Sequence, residues 1–171
     1  MNSDLRLYSF CNMYLSSIQQ GIQSAHIVHD LFLKYPTREA DFGAGEMLWD
    51  WAQNHKTMIV LNGGMNSDIH EILYTMEQLE HTHLGIMPFV GFNEDEMSLG
   101  SILTSVGVVV PKKLYEAKKN AAFLTDDFRI EYGTPIPEDS YIFVGEVVCV
   151  YEPNTPEHTF IDMLKSCSLA R

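Results

Sequence analysis

Leu5-Arg6-Leu7-Tyr8-Ser9-Phe10-Cys11 and, from residue 17, Ser17-Ile18-Gln19-Gln20-Gly21-Ile22-Gln23-Ser24-Ala25-His26 are the stretches whose reading decides the fold. The first alternates side by side, with Leu5, Leu7, Ser9 and Cys11 against Arg6, Tyr8 and Phe10, the period of a β-strand. The second changes period. From Ser17 to Tyr35, Ile22, Ala25, Val28 or His29, Phe32 and Leu33 recur at three- and four-residue spacing, the apolar stripe of a helix. Ser16 or Ser17 is placed to cap its start, and Pro36 ends it. A strand running into a helix at the start of the chain is the opening of an α/β layer fold.

The same alternation continues outward. Residues 39–55 carry Met47, Leu48, Trp51 and Ala52 as a second helical stripe. Met58–Leu61 is a continuous apolar run between Lys56 and Gly63-Gly64, which reads as a strand buried on both faces. Asn66 or Ser67 then caps a helix bearing Ile69, Ile72, Leu73, Met76 and Leu79. Strands are expected at 85–92 and 106–110, with the acidic loop Asn93-Glu94-Asp95-Glu96 between them. Beyond residue 111 the texture changes. A Lys- and Ala-rich helix at 112–123, a Pro turn at 134–137, a strand at 141–151 and a last helix at 157–169 are expected, with Thr155 or Thr159 near its start. The expected fold is therefore α/β: a mixed sheet of about four strands with helices on both faces over residues 1–111, and a C-terminal extension, 112–171, adding a strand and a helix packed on the core.

Composition narrows the function. The net charge is −12, and residues 1–111 hold 13 Asp/Glu against Arg6, Lys34, Arg38 and Lys56. Binding to a phosphate backbone draws on Lys and Arg, so bulk tRNA is not an expected partner, whereas one small nucleotide can be held by backbone N–H groups at a helix start. The longest apolar run, Val106–Val110, is far short of the roughly 20 residues that cross a bilayer. No membrane association is expected, and a cytoplasmic location is. Cys11, Cys149 and Cys167 form neither a disulfide framework nor a CxxC metal site. His81-Thr82-His83 with Glu77, Glu80 and His70 is the nearest thing to a ligand cluster, but no second rigid element completes it, so no metal and no cofactor are expected. Gly63-Gly64 suits either a phosphate approach or a turn.

Several ordered motifs carry a resemblance. Gln23 and His26 open the first helix at the spacing Gln-x-x-His. Trp49 or Trp51 precedes His55-Lys56-Thr57-Met58-Ile59-Val60-Leu61. Leu99-Gly100-Ser101 and Thr104-Ser105-Val106-Gly107-Val108 to Pro111 close the core. In that order, over residues 5–111 and with a one-residue offset in the last segment, they resemble the type-2 peptidyl-tRNA hydrolase family, and in particular short bacteriophage members. The resemblance implies that family's fold and a site at the start of the first helix beside the loop before the last strand. It also exposes departures. The family's helix-opening Lys falls at Gln19, and its loop Asp and Thr fall at Gly91 and Asp95, with Glu94, Asp95 or Glu96 as stand-ins for the acid. Gln hydrogen-bonds but carries no charge for an oxyanion.

The leading expectation is thus a non-catalytic, nucleotide-like-ligand binding protein on a hydrolase fold, suited to sequestering a host nucleotide signal in the host cytoplasm if phage-encoded. Its ligand-binding set is Gln19, Gln20, Gln23, His26, Ser101, Thr104 and Ser105. The alternatives are an active hydrolase of the peptide–tRNA ester, with His26 and Asp95 as candidate catalytic residues, and a protein–protein module using the acidic surface. His26 also reads as a half-buried residue satisfied by a backbone carbonyl. A homodimer is compatible with each.

Overall fold

The computed structural model describes residues 4–82, 84–94, 100–115 and 155–170, without the side chains of Phe42 and Lys113. The strand expected at 141–151 and the Pro turn at 134–137 lie outside these residues. Among them, four strands form one mixed sheet: β1 (Leu5–Cys11), β2 (Thr57–Asn62), β3 (Phe89–Asn93) and β4 (Leu103–Pro111), in the order β2-β1-β4-β3. β1 and β2 run parallel, while β4 is antiparallel to both β1 and β3. The helices are α1 (Ser17–Lys34), α2 (Ala44–Asp50), α3 (Asn66–Leu79), the short α4 (Lys112–Tyr115) and α5 (Pro156–Ser166). No helix among the described residues is long and apolar enough to cross a membrane.

Glycines show which helix covers which face. A Cβ on Gly107 of β4 would lie 2.0 Å from Ile27 of α1. A Cβ on Gly91 of β3 would lie 3.0 Å from Leu73 of α3. Gly91 sits opposite Val106, the neighbour of Gly107, and adjacent strand residues point to opposite faces. α1 and α3 therefore cover opposite sides of the sheet. α3 is joined on its side by α5. The tail after α5 runs along β2: the Asn62 N–H donates to the Ser168 carbonyl at 2.9 Å, and the Ala170 N–H to Val60 at 3.0 Å. Unpaired strand edges invite pairing with other chains, and this tail covers part of one.

Three expectations change. Met58–Leu61 is not a strand buried on both faces: among the described strands β2 lies at the sheet edge, and Met58 is 42% exposed. A run of apolar residues reads the same whether the strand is central or lateral. The strand expected from residue 85 begins at Phe89, because the Gly85 and Met87 N–H groups turn back onto the Thr82 and Leu84 carbonyls. The second helix divides: a 3-10 turn at Asp41–Gly43, α2, then a π turn at Trp51–His55 that places the Trp51 indole N–H on the Thr57 carbonyl at 2.9 Å.

The largest difference lies in α1. Its buried residues are Gln20, Gln23, Ser24, Ile27 and Leu31. Of the stripe visible in the sequence, Ile22, Ala25, His29 and Leu33 point to solvent, while Val28 and Phe32 are partly buried against the core. Polar groups can lie inward only where partners satisfy them, and β1 and β4 present such partners to the N-terminal half of α1. Ser24 Oγ lies 2.9 Å from Ser9 Oγ and 2.8 Å from the Gln20 carbonyl, and Cys11 Sγ lies 3.6 Å from both Ser24 Oγ and the Gln20 carbonyl.

Candidate functional site

The residues singled out in the sequence gather at the N-terminal end of α1, but in different roles. Ser16 is the N-cap. Its Oγ accepts the Gln19 N–H at 3.3 Å, and the Gln19 Oε1 accepts the Ser16 N–H at 2.9 Å. This is the reciprocal capping box, which satisfies orphan donors of the first turn. Gln19 is thereby committed to its own helix. Gln20, buried, donates its side-chain amide to the Leu15 carbonyl at 3.1 Å and so ties the β1–α1 loop to the helix. Ser101 lies exposed in the loop before β4 with φ of 60°, beside Gly100 at 68°. The left-handed pair turns the chain into β4.

Gln23, His26 and Thr104 form the centre. Gln23 is only 3% exposed. Its amide nitrogen donates to the Glu94 carboxylate, and its amide oxygen accepts from Thr104 Oγ1 at 3.0 Å. Thr104 reaches α1 because of a bulge. Phe92 opposes Ser105 and Asn93 opposes Leu103, so Thr104 has no opposite number on β3. An extra residue in one strand re-aims a side chain at that point, and here it points a hydroxyl at the helix. The result is a chain from Thr104 through Gln23 to Glu94, linking β4, α1 and the acidic loop. A buried amide with both ends satisfied is rigid, and its partners fix which end is oxygen.

Three residues along α1 from Gln23, the exposed His26 ring stacks on Phe92, with centroids 4.5 Å apart and planes 3° from parallel. Phe92 stands two residues before Glu94 in the chain. Ser105, on the same strand face as Phe92, is fully buried, and its hydroxyl has no hydrogen-bond partner among the described residues. Buried hydroxyls without partners are rare. Asp95, the candidate catalytic acid, and Glu96 lie outside the described residues. Phe92 was invisible as a site residue in the sequence, since an aromatic near the end of a strand is ordinary.

The cationic groups of residues 1–111 lie elsewhere. The Arg6 guanidinium sits over the Tyr115 ring, Lys34 pairs with Glu80 and caps Phe89, Arg38 bonds Gln53, and Lys56 follows the π turn before β2. Gly91 faces α3 and Leu103, so a side chain there is directed away from Gln23. Burial pushes the Cys11 thiol up, and its contacts with Ser9 and Ser24 only partly offset this. Among the described residues no group of three or more His, Cys, Asp and Glu is gathered to hold a metal ion, and His83 lies outside them. A separate open groove of about 680 Å³ lies on the α3 side between α3 and α5, lined by Gly63, Gly64, Asp68, Glu71 and Asp162 among others. None of the residues singled out for ligand binding lines it.

No family model matches the chain, and no curated protein matches it.

Proposed function

We propose that this chain is a non-catalytic binding protein on the type-2 peptidyl-tRNA hydrolase fold, and that its ligand is a small nucleotide-like molecule held where α1 meets the bulge of β4. The carrying observation is the near-parallel His26–Phe92 stack, whose residues lie three along α1 from Gln23 and two along the chain from Glu94, next to the Thr104–Gln23–Glu94 hydrogen-bond chain. A base or nucleoside presents the complementary pair of features, a π face to stack and a polar edge to bond. The mixed four-stranded sheet with helices on both sides is compatible with the proposed fold.

Hydrolysis is disfavoured by the same residues. Ester cleavage builds negative charge on an oxygen, and preorganised donors or cations at that point are commonly the largest contribution to rate. The position where the family places Lys holds Gln19, whose side chain is bound into the helix cap. A carboxylate is at hand in Glu94, but it is already bonded to Gln23.

The test is a thermal-shift titration with nucleoside mono- and diphosphates and cyclic dinucleotides. A ligand at 100 times its Kd stabilises by about 2.7 kcal/mol. At about 2–4 °C per kcal/mol for a domain of this size, Tm should rise by roughly 5–10 °C. Thr104→Val and Phe92→Leu should remove the rise while leaving the unliganded protein folded. A single-turnover assay on N-blocked aminoacyl-tRNA runs beside it. Enzyme-like release that His26→Ala abolishes, with no nucleotide shift, would overturn the binding reading in favour of the hydrolase.

A further inference from the structure

Phe92 and Glu94 reach α1 from one strand. The extra residue of the bulge, Thr104, lies on β4, so β3 keeps its alternation, and the Glu94 N–H still bonds across to the Ile102 carbonyl at 3.0 Å. Residues two apart in a strand share a face, and residues three apart on a helix are neighbours. Phe92 meets His26 and Glu94 meets Gln23, so the two contacts stand side by side. At roughly 3.3 Å per strand residue they are separated by about 7 Å, comparable to the width of a purine.

The hydrogen-bonding groups here are sorted by kind. The buried Thr104 hydroxyl donates to the Gln23 amide oxygen, and the buried Gln23 amide nitrogen donates to Glu94. These donors are thereby engaged within the chain. The half-buried Glu94 carboxylate is the end of the series nearest solvent. It accepts only, and of its roughly four lone-pair positions Gln23 fills one. The Lys and Arg side chains of residues 1–111 are held elsewhere, so among the described residues none stands here to pair with a ligand carbonyl.

We propose, resting on the nucleotide-binding reading of this site, that the base it selects is guanine, carried by a free nucleotide. The ring stacks on the side of the exposed His26 turned away from Phe92, and its N1–H and 2-amino group both bond the Glu94 carboxylate. Guanine alone among the common bases presents two adjacent donors. They form a planar fork of the kind with which a guanidinium holds a carboxylate, and bonds to a charged acceptor are roughly twice as strong as neutral ones. Adenine and cytosine set a ring-nitrogen lone pair beside their amino group, and uracil sets two carbonyls beside its N–H. Each would turn an acceptor toward the carboxylate and leave it unpaired. Because Gln23 already holds Glu94, little side-chain freedom is lost on binding. A guanine in an RNA strand offers the same edge, but it brings a row of phosphates to a chain at −12.

Isothermal titration of the full chain with GMP, IMP, AMP and CMP tests this. GMP should bind about 5–150-fold more tightly than AMP or CMP, the discrimination of a good bidentate pair. IMP, which lacks only the 2-amino group, should fall between. Glu94→Gln should bring the GMP-to-AMP ratio to about 1 or below, because an amide offers a donor beside an acceptor. Its oxygen still accepts from Gln23, and an unchanged Tm without ligand shows that the fold is kept. A Glu94 that only braces the site would weaken every nucleotide alike and leave the ratio as it was. AMP or CMP bound as tightly as GMP, or a guanine preference that survives Glu94→Gln, overturns the guanine assignment and leaves the nucleotide reading standing. Binding of none of the four ends both. A guanine-containing tetraribonucleotide that binds more tightly than GMP overturns the free-nucleotide form, since the edge is then read within RNA.

Discussion

Close approach of α1 to the sheet depends on single atoms. Gly107 has no room for a methyl group, because its Cβ would stand 2.0 Å from Ile27 Cγ2. Gly107→Ala should destabilise by about 1–3 kcal/mol, the usual cost of overpacking. Ile27→Ala alone should also destabilise, by about 2–5 kcal/mol. The double variant should cost clearly less than the sum, because each change relieves the other. Urea unfolding of the four proteins measures this, and strict additivity would mean that the clash is absorbed elsewhere. Cys11 and Tyr35 make a second residue-level case. Burial raises both pKa values, most directly for Cys11 beneath α1. The folded state then disfavours the ionised form, so the stability contributed is fully present below the unfolded thiol value of about 8.5 and is lost as pH rises through the folded value. Stability should decline as pH rises above about 8.5, and Cys11→Ala should flatten the first part of that decline.

At the level of elements, β1 and α1 were legible because each rests on local signals. Alternation at Leu5–Cys11 and the cap at Ser16 give the observed bounds nearly to the residue. What was not legible was orientation. The outward Ile18–Ile22–Leu33 ridge and the inward Ile27–Leu31 pair are both helical stripes, and only the Ser9, Cys11 and Thr104 partners decide which turns inward. The candidate site was legible in part. Gln23, His26 and Thr104 come together, whereas Phe92 and the bulge that re-aims Thr104 depend on strand register, which no local spacing encodes. The Ser16–Gln19 box offers a test at this scale. Ser16→Ala should cost about 1 kcal/mol and Gln19→Lys less, both read as loss of Tm. Gln19→Lys also places a cation where the resemblance expects one. If it alone conferred ester hydrolysis, the site would be one residue from an enzyme.

For the whole molecule, charge dominates. Few phosphates can be neutralised by a chain at −12. A filter-binding titration at about 0.15 M salt, where the screening length is about 8 Å, should therefore show no sub-micromolar binding to bulk tRNA. If binding does occur, charge reversal at Lys112, Lys113, Lys118 and Lys119 should remove it, and a failure to do so would mean that the phosphates are held by neutral groups. The strand order carries a different consequence, one of timing. β4 pairs with β1 across about a hundred residues of chain, with Leu5 opposite Pro111 and Cys11 opposite Ser105, and it is also the strand on which β3 pairs. Until residues 103–111 leave the ribosome, β1 has only β2 beside it and β3 has no neighbour in the sheet. A nascent chain halted before that point exposes Phe89–Asn93 as an unpaired strand, so folding must wait for β4 and then close late, over a long loop, in a single step.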